Sequence, residues 1–304
     1  MKVLLLENIH SEAVRALESR GHEVEVLSSA LDEVELIEAL DGVELLGIRS
    51  RTHITERVLK AHPQLLAVGA FCIGTNQIDL PAAAAAGVAV FNAPYSNTRS
   101  VVELALGEII TLARRLGDRN SSMHAGIWDK SATGSHEVRG RTLGIVGYGN
   151  IGSQLSVLAE GLGMRVYFYD IVDRLALGNA TRVYSLQELF ERCETITLHV
   201  DGRASNAHMI GEKEFSQMRP RTLFLNLCRG NVVDVDALAA ALRSGHIAGA
   251  AVDVFPGEPA SKDEPFVSPL QGIPNVILTP HVGGSTQEAQ VDIGRYVAGK
   301  LSDY

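Results

Sequence analysis

The chain has 304 residues, of which 46% are hydrophobic and 21% charged, and its formal net charge is −9. This composition excludes a disordered or fibrous protein, and no apolar run reaches the ~20 residues needed to span a bilayer. The acidic balance argues against general binding to nucleic acid or to anionic membranes.

The first hundred residues alternate short apolar runs with helical periodicity, which predicts βαβ units and a parallel sheet. A charge at Glu7 comes too early for the core of a signal peptide, so residues 1–7 are interpreted as a first strand in a cytoplasmic protein. Strands are predicted over Val3–Leu6, Val24–Leu27, Leu45–Ile48, Leu65–Val68 and Ala89–Phe91. Helices are predicted over Ser11–Arg20, Asp32–Leu40, Thr55–Ala61 and Leu80–Ala86.

A helix predicted over Val101–Ala113 is apolar on nearly every face and follows an N-cap-rich stretch at residues 97–100. We interpret it as a buried helix that crosses from a first domain into a second. A second alternating series follows, with strands predicted over Leu143–Val146, Val166–Tyr169, Ile196–Val200, Leu223–Leu227 and Ala248–Val252. Its helices are predicted over Ile151–Leu162, Leu186–Glu191 and Val235–Ser244. The chain is therefore predicted to form two doubly wound α/β domains.

A glycine-rich turn, Gly147-Tyr148-Gly149-Asn150-Ile151-Gly152, joins the first strand and helix of this second series. Gly147 permits the tight turn, Gly149 lets a pyrophosphate approach the backbone, and Gly152 lets helix and strand pack closely. The free N–H groups at the start of the helix, at Asn150 and Ile151, attract the pyrophosphate. The turn predicts a Rossmann domain that binds a dinucleotide.

Asp170 ends the next predicted strand, eighteen residues after Gly152. At that place a carboxylate can accept hydrogen bonds from the ribose hydroxyls, and it would repel the 2′-phosphate of NADP. Only Arg165 and Arg174 lie nearby to offset this charge, so NAD is the predicted cofactor.

Three residues after apolar strand-like runs have the chemistry that NAD-linked oxidation of a 2-hydroxy acid requires. Arg229 can hold a carboxylate with its planar fork, and His281 can exchange a proton near neutral pH. Glu258 can favour the imidazolium form of the histidine and fix its ring. The carboxyl ends of parallel strands are where ligands of this fold bind. The widely spaced Cys72, Cys193 and Cys228 suggest no metal site.

Several segments resemble the D-isomer-specific 2-hydroxyacid dehydrogenases, in particular the members that oxidise phosphoglycerate. They are residues 48–53, 71–76, 91–94, 96–101 and 281–286, and the likeness covers essentially the whole chain. The resemblance implies a flavodoxin-like substrate-binding domain, residues 1–98 and 283–304, into which a Rossmann NAD-binding domain, residues 99–282, is inserted. It also implies a homodimer, which exposed apolar surface expected around the helix from Val101 would favour as well.

The resemblance further assigns residue roles. Arg229 would bind the substrate carboxylate, His281 would be the acid/base, and Glu258 would be its partner. The residues expected beside NAD, besides the glycine turn and Asp170, are Leu227, Cys228, Asp253, Gly283 and Gly284. The residues expected to hold the substrate are Arg49, Ile73, Gly74 and Asn97. The implied reaction is oxidation of D-3-phosphoglycerate to 3-phosphohydroxypyruvate in serine biosynthesis.

Two departures and two alternatives remain open at this stage. Position 228 holds Cys where the family more often has Ser, which can alter packing beside the nicotinamide or make the site sensitive to thiol reagents. The sequence stops at Tyr304 without the serine-sensing regulatory domain of many relatives, so serine feedback through such a domain is not expected. The alternatives are a dehydrogenase of D-glycerate, D-lactate or D-2-hydroxyglutarate, and a non-catalytic NAD-sensing protein.

Overall fold

The structure, a computed structural model, describes residues 1–259 and 263–304. The strands are β1 (Lys2–Leu5), β2 (Glu23–Val26), β3 (Leu45–Ile48), β4 (Ala67–Ala70), β5 (Ala89–Asn92), β6 (Thr142–Val146), β7 (Arg165–Tyr169), β8 (Thr181–Arg182), β9 (Thr195–Leu198), β10 (Thr222–Asn226), β11 (Ile247–Val252) and β12 (Val276–Leu278). The α-helices are α1 (Ser11–Glu18), α2 (Glu33–Ala39), α3 (Glu56–Ala61), α4 (Leu80–Ala85), α5 (Thr98–Arg114), α6 (Leu116–His124), α7 (Asn150–Gly161), α8 (Leu186–Arg192), α9 (Glu212–Gln217), α10 (Val235–Arg243) and α11 (Gln287–Asp303). Every helix in the described ranges is too short or too polar to cross a membrane.

Contacts within the chain divide it into two compact units. Unit 1 comprises residues 1–97 and 285–304, and unit 2 comprises residues 98–284. Unit 1 contains a parallel sheet of order β2-β1-β3-β4-β5, and unit 2 contains a parallel sheet of order β12-β11-β10-β9-β6-β7-β8. The predicted fold class, two parallel-sheet α/β domains, is confirmed.

In unit 1 the central strands are apolar along their whole length because both faces of the sheet are covered. All residues of β3 and β4 are buried. The C-terminal helix α11 returns to this sheet, where Gly69 leaves room for it: a Cβ there would lie 2.6 Å from a Val297 methyl. The carboxyl ends of β3, β4 and β5 lead into the segments that hold Arg49, Gly74 and Asn97.

In unit 2 the strands β6, β9 and β10 are buried throughout. The apolar residues of α5 lie in the core of this unit, as its all-round pattern predicts. The strand order reverses at β6, which lies between β9 and β7. Ligands of open α/β sheets bind outside the carboxyl ends of strands at such a reversal. The glycine turn follows β6 and therefore lies at this point.

Three elements have no counterpart in the sequence prediction, α6, α9 and β8, and no bounds were predicted for β12 and α11. The helix α6 has no buried residue, so it has no apolar stripe to detect. The helix α9 has six residues and the strand β8 has two, which is too short for a periodic pattern. None of the three contributes a residue to the candidate site.

Candidate active site

The glycine turn after β6 has the backbone geometry that a bound pyrophosphate needs. Gly147 has φ +92°, and a Cβ there would lie 2.5 Å from the His199 carbonyl oxygen. A Cβ on Gly152 would lie 2.2 Å from the Gly147 carbonyl oxygen, so helix and turn can approach only without a side chain. At Gly149 a Cβ would meet no described atom within 4 Å, and no side chain caps the N-terminus of α7. The open face with free N–H groups fits a dinucleotide pyrophosphate.

Asp170 is fixed beside this turn at the end of β7. Its Oδ2 accepts the N–H of Tyr148 at 2.8 Å, and its Oδ1 accepts the N–H of Val172 at 2.8 Å. Arg174 lies 3.7 Å from the same carboxylate. Tyr148, for which no role was predicted from sequence, stacks its ring on Phe168 with centroids 3.7 Å apart. This stacking and the Asp170 hydrogen bond hold the turn in place.

His281 and Glu258 form a hydrogen-bonded pair, with His281 Nδ1 2.8 Å from Glu258 Oε2. Both side chains are partly exposed, 49% and 38%. The hydrogen bond to Glu258 raises the pKa of His281, against a smaller opposing effect of desolvation. Desolvation raises the pKa of Glu258, but the hydrogen bond and charge of His281 outweigh it, so the pKa of this carboxyl is lowered. The imidazole is therefore held by one nitrogen, and Nε2 is left for a ligand.

Arg229 belongs to the same electrostatic cluster, just after β10. Its Nη1 donates to the carbonyl oxygen of Cys228 at 2.6 Å. Its positive charge contributes to lowering the pKa of both His281 and Glu258. Within the described residues the guanidinium makes no ion pair with a carboxylate. It is therefore available to an anionic ligand beside His281.

Asp253, at the end of β11, organises the loop that carries His281. Its Oδ1 accepts the Thr279 hydroxyl at 2.6 Å and the Val282 N–H at 2.8 Å, and its Oδ2 accepts the Gly283 N–H at 2.8 Å. The Asp253 carbonyl also accepts the N–H of His281, which has φ +54°. A non-glycine residue in this conformation needs such support from its surroundings. The structure therefore shows Asp253 as a support of the histidine loop, a role that the sequence analysis did not predict.

Cys228 lies in a buried turn with Leu227 directly before it. Asn226 Oδ1 accepts both the N–H of Cys228 at 3.2 Å and its thiol at 3.1 Å. Burial raises the pKa of the Cys228 thiol to about 11. Because the thiolate is the reactive form, this cysteine is a poor nucleophile at neutral pH.

A buried carboxyl group in unit 2 escaped the sequence analysis. Glu108 on α5 is 4% exposed, and neither of its carboxyl oxygens has a hydrogen-bond partner among the described residues. Burial raises the pKa of Glu108 to about 8, and the Asp253 carboxylate adds to the increase. Glu108 is therefore a neutral acid near the support of the histidine loop.

In unit 1 the backbone around Arg49 is held by a buried carboxylate. Glu7 accepts N–H groups from Arg49, Arg51 and Thr52 at 3.2, 3.1 and 2.9 Å. The side-chain amide of Gln77 donates to the Arg49 carbonyl oxygen at 2.6 Å. Neither Glu7 nor Gln77 was singled out by the sequence, since their roles depend on contacts between distant segments.

The turn at Ile73 and Gly74 lies next to the Arg49 segment. Gln77 reaches the carbonyl oxygens of both Arg49 and Gly74, at 2.6 and 3.4 Å. Asn92 donates to the Ile73 carbonyl oxygen at 2.7 Å. Unit 1 therefore brings Arg49, Ile73 and Gly74 together, whereas half-buried Asn97 makes no hydrogen bond to them in the described structure.

Comparison with known proteins gives consistent results. Residues 106–283 match the model of the family described as D-isomer specific 2-hydroxyacid dehydrogenase, NAD binding domain. D-3-phosphoglycerate dehydrogenases from Haemophilus influenzae and Escherichia coli strain K12 are 54% and 53% identical to the chain, each alignment covering 100% of it and 74% of the relative. The solved structure of a D-2-hydroxyisocaproate dehydrogenase superposes with a TM-score of 0.89 at 26% identity, covering 100% of this chain and 96% of that one.

Proposed function

The chain belongs to the D-isomer specific 2-hydroxyacid dehydrogenases, an NAD-dependent family, and we propose that it oxidises D-3-phosphoglycerate to 3-phosphohydroxypyruvate in serine biosynthesis. The observation that carries the reaction type is the pairing of His281 with Glu258 beside the uncompensated charge of Arg229. The identity of more than half of all residues to relatives named for phosphoglycerate supports the substrate.

The residues supply the protein's share of the reaction as follows. Arg229 binds the substrate carboxylate and orients C2 with its hydroxyl toward His281. Neutral His281 accepts the hydroxyl proton on Nε2, because Nδ1 is hydrogen-bonded to Glu258. As the O–H bond breaks, its electron pair forms the C2=O bond and the C2–H pair leaves as hydride. NAD, when bound, supplies the acceptor of that hydride.

We assign the cofactor site to the glycine turn, residues 147–152, together with Asp170. The free N–H groups of α7 face the pyrophosphate, and Asp170 faces the ribose. Two further pairs of residues complete this site in the proposal. Leu227 and Cys228 follow β10, and Gly283 and Gly284 come after β12; both strands lie on the same side of β6 in the sheet. Asp253 reaches NAD in this proposal through the loop that it supports.

We propose that Arg49, Ile73, Gly74 and Asn97 hold the substrate. Arg49 suits the phosphate, because its guanidinium has no ion pair among the described residues and its backbone is fixed by Glu7. Replacing Arg49 by Ala should therefore raise KM for D-3-phosphoglycerate and leave KM for unphosphorylated acids nearly unchanged. Arg57→Ala, which removes an exposed arginine of the same unit, is the matched control.

The deciding experiment measures NADH formation with D-3-phosphoglycerate, D-glycerate, D-lactate and D-2-hydroxyglutarate. We expect kcat/KM to be highest with D-3-phosphoglycerate, and His281→Ala to lower kcat severely without changing NADH affinity. Preference for an unphosphorylated acid would assign the chain to another D-2-hydroxyacid dehydrogenase. No turnover of any acid by a protein that still binds NADH would indicate a non-catalytic sensor.

We further propose that the protein is a cytoplasmic homodimer. Cys72, Cys193 and Cys228 form no disulfide bond among the described residues, which suits a reducing compartment. The apolar residues of α5 are buried in unit 2, so they do not form the exposed surface that the sequence analysis had expected there. Exposed apolar side chains instead lie at the end of α6 and just after it, where Met123, Ile127 and Trp128 are 52%, 58% and 78% exposed. This segment is the dimer contact in our proposal.

A further inference from the structure

A cavity of about 490 Å³ opens at the amino-terminal ends of β10, β11 and β12. Arg221 directly precedes β10, and Arg115 and Arg243 come from the C-terminal ends of α5 and α10. The candidate active site lies at the opposite ends of the same strands, roughly 17 Å away along five residues of strand. The cavity is within the size range of small-molecule sites.

The lining of this cavity is basic in a chain whose net charge is −9. It contains three arginines and no carboxylate among the described residues. Arg115 is paired with Asp118 at 2.7 Å, and Arg243 donates to the Pro269 carbonyl oxygen at 2.8 Å. The Arg221 side chain has no hydrogen bond or ion pair within the described structure. A guanidinium group left without an anionic partner inside a concave surface can bind one from solution.

A smaller adjoining cavity extends this basic surface. It shares Arg115 and Arg221 with the first cavity and adds His136 and Arg141. Arg141 pairs with Glu194 at 3.3 Å, yet its Nε is buried without a hydrogen-bond partner among the described residues. The two adjoining cavities are therefore lined by four arginines, Arg221 and three others, and only two carboxylates, those of Asp118 and Glu194, pair with them.

The backbone at Arg221 gives a second, independent reason to regard this side chain as functional. Arg221 has φ +71°, a conformation that favours glycine and that costs stability for a residue with a Cβ. Arg115 has φ +52°, in the same region. Arg243, in the last turn of α10, is favoured by the helix dipole, whereas Arg115 follows α5 but is also the N-cap residue of α6, where the dipole does not favour a cation. Arg221 has no helix of its own, so neither the dipole nor the backbone explains the arginine.

We propose that this cavity is an anion site that binds a small multivalent oxyanion, a phosphate ester or a polycarboxylate, through Arg115, Arg221 and Arg243. The planar guanidinium fork matches the paired oxygens of both chemical groups. An occupied site stabilises the folded chain by mass action. The site is separate from the glycine turn and from Arg229, and the proposal does not depend on which acid the protein oxidises.

The test is calorimetric titration of the NADH-saturated protein with inorganic pyrophosphate and, in a second arm, with citrate, at low ionic strength. NADH fills the dinucleotide turn and removes it as a competing phosphate site. Saturable binding of pyrophosphate, citrate or both supports the proposal and identifies which oxyanion class the site accepts.

Arg221→Gly isolates the cavity, because glycine relieves the left-handed backbone while removing the charge. We expect this variant to raise the Kd of the anion at least about tenfold, the usual effect of losing charge-assisted hydrogen bonds. Its melting temperature should equal or exceed that of the wild type. Arg139→Ala removes an exposed arginine of the same unit, paired with Glu137, and should change Kd less than about twofold. An unchanged Kd in Arg221→Gly, or no saturable binding of either anion by the wild-type protein, would overturn the proposal.

Discussion

The protonation state of His281 is set mainly by its hydrogen bond to the Glu258 carboxylate, with smaller opposing effects from the charges of Asp253 and Arg229. Oxidation requires a neutral imidazole that accepts the hydroxyl proton, and reduction requires the imidazolium that returns it. Because Glu258 raises the pKa of His281, the imidazolium form persists to higher pH and the neutral form appears only at higher pH. Glu258 is thus a positioning residue, which sets the ring orientation and the pH range of each direction.

Glu258→Gln should separate these two effects. A glutamine can still accept the Nδ1–H hydrogen bond, but it carries no charge, so the pKa of His281 should fall. The acidic limb of the kcat/KM profile for oxidation should move to lower pH, and the rate of reduction should be lost at lower pH than in the wild type. Steady-state rates across pH 5–10 in both directions measure this. Glu264→Gln makes the same charge change in the same loop and should leave the profile in place; an unchanged profile in Glu258→Gln would contradict the role.

Glu108 makes the free energy of unfolding depend on pH. Its pKa is raised from about 4.5 in the unfolded chain to about 8 in the folded one, so the folded protein holds a proton that the unfolded chain releases between these values. The free energy of unfolding therefore falls as pH rises through this range. At pH 8 the cost is on the order of 2 kcal/mol, given 1.36 kcal/mol per unit of pKa shift and partial relaxation.

Glu108→Gln is isosteric with the protonated acid and should remove this pH dependence. We expect its melting temperature to equal that of the wild type near pH 5 and to exceed it by several degrees at pH 8. Thermal denaturation at both values provides the comparison. The control Glu103→Gln changes an exposed glutamate of the same helix, paired with Arg99, and should show no such difference between the two pH values. Equal melting temperatures of Glu108→Gln and wild type at pH 8 would exclude a protonated Glu108.

The catalytic candidates could be predicted from sequence because a charged residue in the loop after a parallel strand lies at the edge of the sheet where ligands bind. Arg229, Glu258 and His281, which come three, six and three residues after β10, β11 and β12, follow this rule. Glu108 does not, since a glutamate within an apolar helix is expected at the solvent side. Its burial results from how α5 packs on the sheet of unit 2, which no local pattern encodes. Contacts between distant segments, such as the hydrogen bond from the Arg49 N–H to the Glu7 carboxylate, likewise cannot be predicted from a local pattern.

At the scale of elements, the three glycines of the dinucleotide turn have different jobs. Gly147 and Gly152 are required by the fold, because side chains there would overlap backbone atoms. Gly149 is not required by the fold, since a Cβ would point into open space. Gly149 instead leaves room for the ligand, whose pyrophosphate approaches the backbone at that position.

Alanine substitutions should separate these jobs. Gly149→Ala should keep the melting temperature of the wild type and weaken NADH binding at least about tenfold, because the methyl group occupies the approach of the pyrophosphate. Gly152→Ala should lower the melting temperature and NADH binding together. Gly161→Ala, on the same helix with open space around it, should change neither property adversely. Fluorescence titration with NADH and thermal denaturation are the measurements, and unaltered NADH binding in Gly149→Ala would count against the turn as cofactor site.

Helices with an apolar stripe and strands with a buried apolar run were predictable from sequence, but their first and last residues were predicted less accurately. The strand β4 begins at Ala67, two residues after the predicted start, because the N–H of Leu65 closes a turn by donating to the His62 carbonyl oxygen at 3.0 Å. The helix α6 has no buried residue, so its sequence lacks the periodicity that marks the other helices. Such an exposed helix needs another explanation for its apolar residues.

At the scale of the whole molecule, the alternation of strands and helices predicts parallel sheets but not strand order. That β6 lies between β9 and β7 depends on packing across the sheet of unit 2. The return of α11 to unit 1 depends on the space left by Gly69. Neither feature has a local signature, yet the first places the glycine turn at the strand-order reversal.

The exposed apolar segment at the end of α6 and just after it is not covered by any other part of the described chain. The N–H of Ile127 donates to the Ser122 carbonyl oxygen at 2.8 Å, so the chain folds back on the last turn of α6, and Met123, Ile127 and Trp128 of this segment are all exposed. Contiguous apolar surface of this kind marks an interaction site, and a second copy related by twofold symmetry would cover both patches at once.

Sedimentation velocity at micromolar concentration should therefore show a dimer, and Trp128→Glu should shift it to monomer. A buried tryptophan at the centre of an interface is worth 2 kcal/mol or more, so the dimer Kd should rise at least about thirtyfold, and further from the buried charge. Val267→Glu places the same charge at a residue that is 84% exposed elsewhere in unit 2 and should leave the dimer intact. A monomeric wild-type protein, or a Trp128→Glu variant that remains dimeric, would contradict this dimer contact, because the tryptophan contributes binding energy only where a partner removes it from water.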